Sequence, residues 1–113
     1  MLPARSRLRD HQLATTVKRG TRVGRRYLIV HFMAASGSSD EEPKVAFAVS
    51  KSVGGSVVRH RVVRRLRHVV ASHLRDLPTG CCVVVRALPA AAAASSADLD
   101  RDLSALFSRV VVL

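Results

Sequence analysis

The sequence predicts one α+β domain, a two-layer sandwich of helices against a single mixed sheet. Three observations predict it. Residues 44–50 alternate strictly, with Val45, Phe47 and Val49 on one face and Ala46, Ala48 and Ser50 on the other. Residues 57–76 carry Val58, Val62, Leu66, Val69 and His73 on one helical stripe, with Val70 beside it. An apolar run, Cys81 to Ala87, follows the break at Pro78-Thr79-Gly80. Strand, helix and strand in that order make a βαβ unit with parallel strands. At 113 residues the chain suits one domain, 1–113, and buries roughly 60–70% of its unfolded surface.

The remaining elements follow in order. A basic arm, 1–9, precedes a short helix that Asp10 caps and Gly20 ends. Leu13 and Val17 share one face of it, and Lys18 and Arg19 suit its C-terminal dipole. Arg22, Arg25 and Arg26 form a basic connector, with a short extra strand near Arg22–Val23. Tyr27 to Ala34 reads as a strand, β-branched and aromatic. It sends Tyr27, Ile29 and His31 to one face and Leu28, Val30 and Phe32 to the other. Residues 35–43, acidic and Ser-rich, are expected to form a mobile hairpin loop. Ser52 to Gly55 turn the chain into the main helix, which Ser56 can cap. Pro89 and five alanines, 90–94, form a low-complexity connector. Ser95 and Asp98 have capping-box spacing before a last helix with Leu99, Leu103, Leu106, Phe107 and Val110 on its apolar face, and Asp98, Asp100 and Asp102 suit the positive end of its dipole.

Charge narrows the function. The net charge is +11, and sixteen of the nineteen basic residues are arginine, whose planar fork matches phosphate. Residues 1–75 hold sixteen basic and four acidic side chains; residues 76–113 hold three and four. Nucleic acid is the first candidate partner of such a surface and a membrane surface the second. No run is long enough to span a membrane. The start lacks the apolar stretch of a secretory signal, although its arginines imitate a transit peptide. Cys81 and Cys82 are strand neighbours pointing apart, so they predict no disulfide and a reducing cytoplasm. The histidines lack metal-ligand spacing, and the acids form no cluster for metal-dependent hydrolysis, so neither a metal site nor a catalytic residue is expected in the protein.

The segment 51–68, KSVGGSVVRHRVVRRLRH, concentrates the function. Arg59, Arg61, Arg64, Arg65 and Arg67 fall within nine positions. A helical wheel groups Arg61, Arg64, Arg65 and His68 on one flank and reads Arg67 and His60 as lying round the far side. A helix pinned by its apolar stripe would present these guanidinium groups as a rigid array for several phosphates. Gly54 and Gly55 would let the preceding loop approach a backbone closely.

These residues resemble the protein subunit of bacterial ribonuclease P over nearly the whole chain. The resemblance rests on Arg7-Leu8, the short helix ending at Gly20, Arg25-Arg26, Val49-Ser50-Lys51, Val53-Gly54, Arg59-His60-Arg61-Val62, Arg64, Arg67 and Arg86-Ala87 with Pro89. The chain also departs from the family pattern. His60 stands where Asn is usual, Val63 where Lys is usual, and Arg65 where an apolar residue is common. Ser52 and Gly55 replace frequent Lys and Asn, and Leu13 and Val17 stand where phenylalanine is frequent.

The resemblance implies a ribonucleoprotein endonuclease. Its RNA, with Mg2+ bound mainly through that RNA, removes the 5′ leader from precursor tRNA, and one protein accompanies each RNA. It implies a left-handed βαβ crossover, against the usual hand. It implies that Lys51, Arg59, His60, Arg61, Arg64 and Arg67 hold the catalytic RNA, with Arg65 as an extra phosphate contact. It implies a leader cleft of Leu13, Val17, Arg26, Tyr27, His31, Ala46 and Ala48, in which small side chains leave room and a ring can stack on a base. Two rivals remain at this point: a general RNA-binding module of ribosomal or chaperone type, and a metal-dependent nuclease acting alone.

Overall fold

The computed structural model describes residues 10–35 and 40–112. The expected arm at 1–9, the middle of the 35–43 loop and the Asp10 side chain lie outside what is described. The elements are α1 (Asp10–Arg19), β1 (Thr21–Gly24), β2 (Leu28–Met33), β3 (Lys44–Ala48), α2 (Ser56–Ala71), β4 (Cys82–Ala87) and α3 (Ser96–Val112), with short 3₁₀ turns at Leu74–Asp76 and Pro89–Ala93. They form the expected α+β sandwich on one four-stranded mixed sheet, ordered β1-β2-β4-β3. The extra strand near Arg22–Val23 is β1, an antiparallel partner of β2. β3 and β4 pair in parallel on either side of α2, as the βαβ reading required.

Alternation gives the sheet two different faces. Leu28, Val30 and Phe32 of β2 lie level with Val83 and Val85 of β4 and Val45 of β3. This face is sealed by Val62, Leu66, Val69 and Val70 of α2 and Leu99, Leu103, Leu106 and Phe107 of α3, all buried. The opposite face carries two transverse rows, Arg22–His31–Val84–Ala46 and Gly24–Ile29–Arg86–Ala48. There α1 packs on β2 and β4. Thr16 is fully buried and its hydroxyl donates to the Gln12 carbonyl at 2.7 Å. Gly20 ends α1 where a Cβ would stand 2.5 Å from the Thr16 carbonyl oxygen and 2.7 Å from that of Phe32, so only glycine lets α1 fold back this tightly.

The main helix is shorter than the stripe 57–76 predicts. It ends at Ala71 because Ser72 turns its amide and hydroxyl back to the Val69 carbonyl, at 3.2 and 2.8 Å. His73 therefore leaves the stripe. Its Nε2 lies 2.6 Å from Asp100 Oδ1, and its ring meets Phe107 edge-on at 6.2 Å. β3 stops at Ala48, where the Ser50–Val53 turn begins, although Val49 keeps its place on the core-facing side.

The three aspartates read as helix-dipole residues do three different jobs. Ser95 and Asp98 form the predicted capping box, each side chain taking the other's backbone N–H at 3.1 Å. Hydrogen bonds to its carboxyl, first from the Ser95 amide and second from the Ser95 side chain, hold Asp98 below its usual range. Asp100 anchors His73. Asp102 is buried and accepts the Tyr27 N–H at 2.8 Å and the Arg25 guanidinium at 3.3 Å, which fixes the β1–β2 hairpin to α3.

Candidate RNA interface

The arginines of α2 divide into two groups. Arg65 donates to the Ala94 carbonyl at 2.7 Å and Arg61 to that of Ala92 at 3.2 Å, so both clamp the alanine turn after β4. That turn is more than a connector: Ala91 and Ala94 are buried, and their size lets α2 come close. The second group, His60, Arg64, Arg67 and His68 with Arg59, surrounds a hollow between α2 and β3. This corrects the wheel, which put Arg67 and His60 round the far side. Positions 60, 64 and 67 repeat at helical spacing and share one face.

The hollow has a volume of about 640 Å³ and an apolar floor of Phe47, Val49 and Val63. Val63 stands among the arginines as part of this floor. Arg59 Nε is shut off from solvent and has no acceptor. Lys51 is exposed in the turn before α2. Gly54 in that turn has φ +157°, and a Cβ there would meet Val58 at 2.8 Å; Gly55 faces open space. Gly55 precedes α2 without a side-chain cap, and no acidic residue sits in the first turn, so the positive helix end is unneutralised.

The other face of β3 looks to the side of the sheet on which α1 packs. Ala46 and Ala48 are half-buried there; on α1 itself Leu13 is half-buried and Val17 exposed. Arg86, exposed and level with Ala48, adds a cation that sequence reasoning assigned to no site; its place in the register is the signal that finds it. Arg22 does the same beyond β2. Tyr27 lies just before β2, half-buried against the core, with the exposed Arg26 guanidinium 5.2 Å from its ring centroid.

His31 occupies the middle of this face but is only 3% exposed, and neither ring nitrogen has a hydrogen-bond partner. Burial, then the nearby Arg22 and Arg86 charges, lower its pKa. The rim groups Arg22 and Arg86, rather than the His31 ring, are what this face shows to solvent.

Burial disfavours the thiolate form of both cysteines. Burial pushes Cys81 up to about 12 and raises Cys82, which faces Thr16 on the α1 side. Among the described residues no group of three His, Cys, Asp or Glu is placed to hold a metal, and no helix is long and apolar enough to cross a membrane.

The family model for ribonuclease P matches residues 2–111. The ribonuclease P protein component of Streptomyces bikiniensis is 48% identical over 118 aligned residues, covering 98% of this chain and 96% of the relative. That of Beutenbergia cavernae is 54% identical over 104, covering 91% and 86%. The solved ribonuclease P proteins of Staphylococcus aureus and Thermotoga maritima share the fold, each with a TM-score of 0.78 at 18% identity over 92% of this chain and 94% and 96% of theirs. Matched along nearly its whole length, the chain belongs to the ribonuclease P protein-component family, the protein subunits of an endoribonuclease complex.

Proposed function

We propose that this protein holds the catalytic RNA of ribonuclease P on one side of its sheet and the 5′ leader of precursor tRNA on the other. One protein serves one RNA, in the cytoplasm where tRNA precursors are made. The observation that supports this reading is the division of the edge strand: Phe47, with Val49 just beyond β3, lines the basic hollow, while Ala46 and Ala48 look to the side that carries α1. Arg59, His60, Arg64 and Arg67, with Lys51 beside them, neutralise phosphates of the folded RNA. Arg61 and Arg65 hold the helix in place and keep their remaining donors for the same partner.

In the cleft, the short side chains of Ala46 and Ala48 leave room for one extended strand beside Leu13 and Val17. Arg86 and Arg22 meet its phosphates, and Arg26 and Tyr27 guide it at the hairpin end. Gripping the leader raises affinity for precursor over product, because product has no leader to grip. The hollow is lined by arginine, histidine, one serine and apolar groups, a donor set that does not suit Mg2+, which prefers oxygen ligands. The protein's part is therefore binding and orientation, and the metal-dependent cleavage belongs to the RNA.

The test is cleavage of precursor tRNA at low Mg2+ by a cognate ribonuclease P RNA, with and without this protein. The reading predicts that only the mixture cuts at the mature 5′ end. Cleavage by protein alone would establish the lone-nuclease alternative. A mixture no better than RNA alone, with folded protein, would favour the general RNA-binding module.

A further inference from the structure

The basic side of the molecule is more than a row of charges. Contacts to an RNA backbone need only a convex or flat array of cations. Here the arginines stand around a concavity of about 640 Å³, within the ~300–1,000 Å³ range of small-ligand sites. Its floor is apolar and includes one aromatic ring, Phe47. No carboxylate lines it, and three guanidinium groups do.

Two unmet donors point to an occupant. Arg59 Nε is buried without an acceptor, a state that folded proteins rarely leave unanswered. The first amides of α2 have no side-chain cap, and Ser56, its first residue, lines the hollow. An acceptor-rich anion answers both, and the apolar floor asks for a flat, weakly hydrated group attached to it. A nucleotide has both parts. Within a double helix the base is stacked away from such a floor; only an unpaired nucleotide can present it.

We propose that this hollow receives one unpaired nucleotide of the catalytic RNA, its base against Phe47, Val49 and Val63 and its phosphates on Arg59, Arg64 and the start of α2. The proposal rests on the functional reading above and assigns that surface a specific ligand. Base stacking in such a site is sequence-tolerant and gives roughly tenfold or more in affinity.

The probe is the fluorescent nucleotide 2-aminopurine riboside 5′-monophosphate, whose emission is quenched by stacking, titrated with the full chain. Quenching is expected, with AMP displacing the probe at least about tenfold more effectively than ribose 5-phosphate, which has the phosphate but no base. Val63→Glu, which puts a carboxylate among the arginines and against the incoming phosphate, should abolish the quench. Phe47→Leu, which keeps apolar bulk and removes the ring, should weaken it, with circular dichroism confirming that both variants are folded. Added catalytic RNA should displace the probe at one RNA per protein. Equal competition by AMP and ribose 5-phosphate would overturn the proposal, as would a quench that survives Val63→Glu. Probe that stays bound in the assembled complex would also overturn it, since the hollow would then serve a soluble nucleotide. If these results fail while the protein still supports precursor cleavage, the hollow assignment falls and the functional reading stands.

Discussion

Phe47 and Ala48 are neighbours on the edge strand and serve opposite sides of the sheet. Phe47 lines the arginine-ringed hollow under α2. Ala48 lies level with Arg86 on the face that carries α1. A one-residue step along β3 thus separates the two RNA surfaces of the account, and the period-2 geometry of a strand enforces the separation.

The division of the α2 arginines predicts two kinds of variant. Arg64→Ala and Arg67→Ala should each weaken binding to the catalytic RNA on the order of tenfold and lower the salt slope by about one. Their folding stability should be unchanged. Arg65→Ala should instead cost about 1–2 kcal/mol of stability, because it frees the Ala94 carbonyl. Filter binding over a salt series, paired with urea denaturation, separates the two effects.

Filling the cleft floor should act on precursor alone. Ala48→Phe puts a ring where the leader would pass. It should reduce the holoenzyme's preference for precursor over mature tRNA by about tenfold or more while assembly with the catalytic RNA stays normal, since α2 lies on the other face. Competition binding of the two tRNAs reads this directly.

Asp102 is a structural acid. Asp102→Ala should lose about 2–3 kcal/mol in urea unfolding, because it strands the Tyr27 amide and leaves Arg25 without its partner. Asp102→Asn keeps a carbonyl acceptor for Tyr27 and should lose less.

His31 predicts a pH effect with a definite sign. Its folded pKa lies below the ordinary 6.5, first through burial and then through Arg22 and Arg86. Below 6.5 the unfolded chain binds a proton that the folded chain refuses, so this contribution to stability is full above 6.5 and is lost as pH falls from there through the lower folded value. His31→Phe removes two unpartnered ring nitrogens. It should hold or gain stability at pH 7 and show a flatter stability profile below 6.5. Thermal unfolding across that window tests it.

Much of this was legible in the residues. The alternation at 44–50 already separated Phe47 from Ala46 and Ala48, and the 57–76 stripe already identified the buried side of α2. Local spacing also marked the Ser95–Asp98 box. What escaped was tertiary. A wheel shows where Arg61 and Arg65 point but not that the alanine turn stands there. Strand parity put His31 on the cleft face, yet its burial depends on where α1 lands, which Gly20 decides. Asp102 looked like its neighbours Asp98 and Asp100 because helix-dipole logic is blind to the hairpin packed against it.

If the two faces of β3 serve two different RNAs, photo-crosslinking from single sites will separate them. A cysteine-directed crosslinker would be placed at Ala48→Cys or at Arg64→Cys, with Cys82 first changed to Ala because its thiol is partly exposed. In the complex with catalytic RNA and leader-labelled precursor tRNA, position 48 should capture the leader and position 64 the catalytic RNA. Capture of the same RNA from both positions, or of the leader from position 64, would contradict the account.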